Sequence, residues 1–214
     1  MIKKKVVITG GSDGIGYELV LFFLSRDYII YTTYFSSNRK LMELKKKYRN
    51  KIFFQKMDLG NSRNIISFIK NIKQKLKCPD LIILNAINKI KRKKFDTIKM
   101  SEFELNFKTN ILGNFIIIQN LIKLLLIKKK ITILHISSKV SKKGSWGLSG
   151  YGPSKAAIDN LFKCLQQEYK NKIKFKSIFL GAVNTNGYRF TNGVKNIHKT
   201  IDVKKTRFKI LKHI

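Results

Sequence analysis

Thr9-Gly10-Gly11-Ser12-Asp13-Gly14-Ile15-Gly16 lies between a β-rich run, residues 5–9 (KVVIT), and a helical one, residues 14–26 (GIGYELVLFFLSR). Glycines let a backbone turn tightly and approach a ligand closely. A helix that opens on such a turn offers free N–H groups and the positive end of its dipole. An ordinary glycine-rich turn is the plainer alternative, but the strand before and the helix after are the context a pyrophosphate site requires. We therefore read the turn as a dinucleotide-binding element.

Working outward, the same alternation continues. Residues 28–34, 52–56, 80–84, 131–136 and 173–180 read as strands. Residues 39–49, 62–76, 101–127 and 151–169 read as helices, the second with apolar residues at 65, 66, 69, 72 and 76. Strands alternating with helices of this length imply βαβ units. The expected fold is α/β: a Rossmann-like, doubly wound parallel sheet with helices on both faces. Residues 88–100, 139–150 and 184–200 follow strands and lack periodicity. Ligands in such sheets bind beyond the carboxyl ends of the strands, so these three segments are candidate site walls.

Composition agrees with one domain over residues 1–214, atypical and short after about 185. The chain has 43% apolar residues, enough for a sizeable core. Two Pro and two Cys exclude a proline-rich linker and a disulfide scaffold, and Cys78 and Cys164 have no metal-ligand spacing around them. A reduced, cytoplasmic setting is expected. No metal site is expected, because His135, His198 and His213 form no ligand set.

Lys and Arg number 45 against 12 Asp and Glu, a formal net charge of +33. Nucleic-acid binding and codon bias both give such a balance. Only seven are arginines, the lysines spread along the whole chain, and Ile and Asn are abundant while Ala is scarce. That skew favours an AT-rich coding sequence over a clustered, arginine-bearing footprint, so no specific nucleic-acid partner is expected. Some non-specific polyanion affinity follows either way. No membrane association is expected: residues 6–9 are too short for a signal h-region, and residues 111–127 carry Asn114, Gln119, Asn120 and Lys123.

The spacing Thr-Gly-x-x-x-Gly-x-Gly resembles the short-chain dehydrogenase/reductase family. Its further marks follow in order: Leu84-Asn85-Ala86-Ile87 after strand four, Asn110 in Thr109-Asn110-Ile111-Leu112-Gly113, Ser137-Ser138 ending strand five, and Tyr151-Gly152-Pro153-Ser154-Lys155 opening a helix. A Tyr-x-x-x-Lys pair alone would arise by accident about once in this composition, so the inference rests on joint order and spacing. The likeness spans roughly residues 3–185.

The resemblance implies an NAD(P)-dependent dehydrogenase or reductase with Asn110, Ser138, Tyr151 and Lys155 as catalytic residues. Tyr151 would give or take the proton, Ser138 would hydrogen-bond the substrate oxygen, Lys155 would hold the nicotinamide ribose, and Asn110 would hold a water. Tyr151 and Lys155, four apart on one helix, share a face, so the ammonium is expected to lower the phenol pKa. Cofactor contacts are expected from Thr9, Gly10, Ser12, Asp13, Gly14, Ile15, Gly16, Arg39, Asp58, Leu59, Asn85, Ala86, Tyr151, Lys155, Val183 and Thr185. No acid ends strand two, and Arg39 and Lys40 are placed to pair with a 2′-phosphate, so NADPH is expected over NADH.

The substrate would be a small carbonyl or alcohol, a 3-oxoacyl thioester being the nearest specific expectation. A homodimer or homotetramer is implied, with Phe103, Phe107, Leu121, Leu125, Phe162 and Leu165 as apolar contacts. Core packing explains the same residues. Ile87 stands where the family has glycine and is expected to crowd the cofactor. No seventh strand follows residue 203, which leaves strand six a sheet edge carrying Lys172, Lys174 and Lys176. These departures motivate two rivals: a degenerate nucleotide-binding scaffold and, from charge alone, a polyanion-binding protein.

Overall fold

The structure, a computed structural model, describes residues 4–127, 131–193 and 197–214. Residues 1–3 of the basic N-terminal run and 194–196 of the last candidate wall lie outside the described residues. Among the described residues six parallel strands form one sheet in the order β3-β2-β1-β4-β5-β6. They are β1 (Lys5–Ile8), β2 (Ile29–Tyr34), β3 (Ile52–Lys56), β4 (Leu81–Leu84), β5 (Ile131–Ser138) and β6 (Ile173–Leu180). The order reverses between β1 and β4, the switch point at which doubly wound sheets bind ligands.

The sheet is covered on both sides, which is why its central strands are apolar throughout: all four residues of β4 are buried. Val7, Tyr31, Ile82 and Ile133 face a core shared with α3 (Ser62–Leu76), α5 (Gly113–Leu125) and α7 (Tyr151–Tyr169). Val6, Ile8, Ile30 and Leu134 face the other, shared with α1 (Gly14–Ser25), α2 (Arg39–Tyr48) and α9 (Val203–Leu211). Burying each Leu or Ile side chain contributes about 1.5–3 kcal/mol, so the alternation in each strand fixes its register.

Residues 101–127 do not form one uniform helix. α4 (Met100–Phe107) passes through a π-helical turn, Lys108–Leu112, into α5. Side chains here compete for backbone carbonyls: Thr109 Oγ1 donates to Leu105 O at 2.8 Å, and Asn114 Nδ2 to Asn110 O at 2.9 Å. Turns of this kind gather at functional sites, and Asn110 lies inside this one.

Two short helices sit in the expected loops: α6 (Val140–Lys143) and α8 (Asn186–Asn192), the latter capped by Thr185 Oγ1 accepting from Tyr188 N at 3.0 Å. After them α9 starts at Asp202, whose carboxylate accepts from Lys204 N and Lys205 N, and packs on α1 with Ile210 buried. No seventh strand is present among the described residues, so β6 pairs on one side only, with β5.

Candidate active site

The glycine-rich turn is knitted to the end of β4. Thr9 is fully buried, and its Oγ1 accepts from Asn85 N and Ala86 N, each at 3.0 Å. Asn85 Nδ2 returns the contact to Thr9 O and Gly10 O at 3.0 and 3.1 Å. Gly10 has φ +70°, and a Cβ there would lie 3.0 Å from Ala86 Cα. Gly16 packs so closely on Gly10 that a side chain would strike its carbonyl oxygen. Only glycine meets both demands.

Asp13, the N-cap of α1, makes no side-chain capping bond, and a helix start of this kind suits a diphosphate. Asp13 is held at this end by Lys40 Nζ at 2.9 Å and Asn186 Nδ2 at 2.8 Å. Burial favours its neutral form, but these two partners, Lys40 first, outweigh that and hold its pKa below the usual carboxylate range. Lys40 also lies over the Tyr17 ring. Arg39 stands at the exposed start of α2 and pairs with Glu43 at 3.7 Å. Ser12 and Ile15 complete the turn.

Asp58 stands beyond β3, its Oδ1 accepting from Gly60 N at 2.7 Å, and Leu59 is buried beside it against Gly113. Ile87 points half into solvent, 47% exposed, at the rim of the cleft. Val183 bridges to Ile201, and Thr185 reaches Gly14, so the segment after β6 closes on the turn.

Asn110, Ser138, Tyr151 and Lys155 converge at the carboxyl end of β5. Asn110 Nδ2 donates to Ser154 Oγ at 2.9 Å, and that hydroxyl donates to Tyr151 O at 2.8 Å, tying the π-turn to the start of α7. The Oδ1 atoms of Asn106, Asn110 and Asn114 are buried with no partner among the described residues, so this interior is polar. Ser138 Oγ accepts from Val140 N at 3.2 Å and is also hydrogen-bonded with Tyr151. Burial pushes the Tyr151 phenol up to about 12, against a hydrogen bond with Ser138 that pulls it down.

Lys155 departs from expectation. Its side chain is 1% exposed and runs inward: Nζ donates to Ile136 O at 2.9 Å, meets His135 Nε2 at 3.0 Å, and lies 6.0 Å from the centroid of the Tyr151 ring. Desolvation lowers the Lys155 pKa to about 8. The ammonium therefore loses its proton before the phenol does, and in this geometry it does not acidify Tyr151. Behind it, His135 Nδ1 lies 3.0 Å from Asp159 Oδ1, and Ser137 Oγ donates to Asp159 Oδ2 at 2.6 Å. Sequence reasoning weighed His135 only as a metal ligand, and set it aside, and it did not single out Asp159. The readable signal was a histidine inside an apolar strand and an acid four residues after Lys155.

Three walls close the front. Arg92 Nε donates to Asn192 Oδ1 at 2.6 Å and Nη1 to Ser145 Oγ at 3.0 Å and to Trp146 O, so one side chain joins the segments after β4, β5 and β6. Lys93 N to Gly147 O and Thr191 Oγ1 to Ile90 O add to the joint. Trp146 and Phe95 are exposed there, and Lys89 and Lys91 lie over the Phe190 ring. Leu121, Leu125 and Phe162, among the expected oligomer contacts, are buried in the core of the single chain. No helix among the described residues is long and apolar enough to cross a membrane.

A family model described as short chain dehydrogenase matches residues 4–193. The chain is 25% identical over 184 residues to an NADPH-dependent pterin aldehyde reductase of Arabidopsis thaliana, covering 85% of this chain and 76% of that one. It is 26% identical over 172 residues to a 3-oxoacyl-(acyl-carrier-protein) reductase of Chlamydia pneumoniae, covering 78% and 68%. Among solved structures it resembles ElxO with NADP bound, with 25% identity, a TM-score of 0.86 and coverage of 99% and 91%. It also resembles a 3-ketoacyl-(acyl-carrier-protein) reductase of Brucella melitensis complexed with NADH, with 15% identity, a TM-score of 0.87 and coverage of 96% and 88%.

Proposed function

The chain belongs to the short chain dehydrogenase family, oxidoreductases that work with NAD(P), and we propose that it reduces a carbonyl with NADPH, Tyr151 delivering the proton. The single observation that carries this reading is the convergence of Ser138, Tyr151 and Asn110 at the carboxyl end of β5, facing the cleft that opens on the glycine turn. The bound nucleotide supplies the hydride. A phenol held near 12 stays protonated until negative charge develops on the substrate oxygen, and it then donates. The Ser138 hydroxyl donates a second hydrogen bond to that oxygen. The α1 N-terminus and the glycine turn would hold the diphosphate and Asp58 and Leu59 would border the adenine, while Lys155 would reach the nicotinamide ribose only by turning outward from Ile136 O and His135. Arg39 takes the 2′-phosphate, which favours NADPH; the pterin aldehyde reductase is named for the same nucleotide.

A 3-oxoacyl thioester is our substrate reading. It is supported by Lys89 and Lys91 after β4, which lie over the Phe190 ring and suit an anionic carrier, and by the name of the Chlamydia pneumoniae relative. We also infer a homodimer through α4, the π-turn and α5, where Leu105, Leu112 and Phe115 are exposed. The test is NADPH oxidation against a panel of ketones, aldehydes and 3-oxoacyl thioesters. Tyr151→Phe is expected to lower the carbonyl-dependent rate about 10²–10⁴-fold while nucleotide binding stays. Equal rates for wild type and Tyr151→Phe, with both binding NADPH, would leave the scaffold reading instead.

A further inference from the structure

Lys155 is the large cation that the fold buries completely, and its counter-charge is not in contact with it. Between them stands an imidazole. His135, 0% exposed on β5, meets Lys155 Nζ with Nε2 at 3.0 Å and Asp159 Oδ1 with Nδ1 at 3.0 Å. An ammonium only donates, so Nε2 must accept; the ring's proton then sits on Nδ1 and is donated to the carboxylate. We propose that His135 and Asp159 are positioning residues for Lys155, a neutral imidazole carrying the carboxylate's charge to the buried ammonium and holding it at the end of β5. The proposal rests on the reading of Lys155 as a working residue of the site and adds two residues to it.

The surroundings support one direction of polarisation. Asp159 is itself braced by Ser137 Oγ at 2.6 Å, and Ser177 Oγ of β6 lies 3.4 Å from His135 Nδ1. The Phe162 ring, 5.6 Å from the imidazole, closes the pocket on its apolar side. The titratable groups facing Lys155 are His135 from β5 and Tyr151 and Asp159 from its own helix; β6 offers the Ser177 hydroxyl and the π-turn the Asn110 amide, neither charged. Desolvation, with the Lys155 charge second, drives the His135 pKa down to about 4, so the ring stays neutral at working pH. Asp159, at about 2, stays ionised, and its charge works against desolvation at Lys155. Severing the chain at either residue leaves a buried ammonium without that help, and such an ammonium gives up its proton more readily.

The test is a pH titration of the whole nucleotide-free chain with lysine labelled at the ε carbon with 13C, read by NMR. Ordinary lysines titrate near about 10.4. Lys155 is expected to titrate near 8, and its resonance is identified by its loss in Lys155→Met. Asp159→Asn and His135→Leu are each expected to move the midpoint lower by about one pH unit or more. His135→Gln, whose amide both accepts and donates, is expected to stay within about half a unit of wild type. An unmoved midpoint in Asp159→Asn, or a fall in His135→Gln as deep as in His135→Leu, overturns the proposal. If His135→Leu does not fold, the 15N shifts of the wild-type imidazole take its place: a proton on Nδ1 supports the chain and a proton on Nε2 overturns it. The catalytic reading fails separately, through equal NADPH oxidation by wild type and Tyr151→Phe, whatever the lysine titration gives.

Discussion

Gly16→Ala tests the turn on which the nucleotide site depends. The new Cβ would strike Gly10 O, and it would lie 2.6 Å from Asn85 Nδ2 and 2.9 Å from the Gly10 carbonyl carbon. Carbon atoms settle about 3.5 Å or more from such neighbours, so the turn must open by roughly 1 Å. Neither neighbour yields easily. Gly10 N donates to Thr33 Oγ1 at 2.9 Å, and Asn85 Nδ2 is committed to Thr9 O and Gly10 O. Overpacking of this kind costs about 1–3 kcal/mol, and in a chain of this size each kcal/mol lowers the melting midpoint by about 2–4 °C. We expect a fall of about 4–8 °C, corresponding to about 2 kcal/mol. On the proposed reading the opening also draws the first N–H groups of α1 away from the place of the phosphates, and NADPH affinity should fall about tenfold or more. Differential scanning fluorimetry and NADPH fluorescence titration read the two effects. Gly181→Ala is the control: its Cβ would find only Lys139 Cδ, at 3.9 Å. If Gly16→Ala melts within about 1 °C of wild type and binds NADPH equally well, the close approach argued for the turn is wrong.

Three further outcomes follow from the same geometry. Arg39→Ala should weaken NADPH about tenfold, or about 1.4 kcal/mol, and leave NADH nearly unchanged; parallel titrations would refute the phosphate assignment by showing equal losses. Arg92→Ala should speed proteolytic cleavage within residues 88–100 and 139–150 while NADPH affinity holds, and cleavage unchanged from wild type would count against the joint. Acid should destabilise the fold through His135: an unfolded histidine binds a proton near about 6.5 and the buried one only near 4. That contribution is intact above pH 6.5 and is lost as pH falls toward 4, by up to ~3 kcal/mol, before Asp159 adds its own loss below about 3.8. Urea midpoints at pH 4.5 and 7 should converge in His135→Gln, and an identical drop in that variant would move the effect elsewhere.

Much of this is legible in the sequence alone. The glycine turn, the apolar strands and the order of Asn110, Ser138, Tyr151 and Lys155 depend on local spacing, and local spacing is what a sequence states outright. The direction of Lys155 was not legible. Four-residue spacing puts Tyr151 and Lys155 on one helical face, but a four-carbon stem can end outward at the phenol or inward at Ile136 O, and the partner that decides, His135, lies on a strand twenty residues away. His135 was weighed only as a metal ligand, because its partners Lys155 and Asp159 lie far along the chain. The π-turn was hidden because Thr109 and Asn114 bind backbone carbonyls in a run that otherwise has helical periodicity. The place of β6 at the end of the sheet among the described residues was readable, since strand order follows from the crossover rule.

The guanidinium of Arg92 makes the front of the site a single plate assembled from three stretches of chain. Grafting one of those stretches from a relative would strip the arginine of its acceptors or the acceptors of their arginine. Redesigning what this protein accepts therefore means transplanting all three pieces together with their clasp.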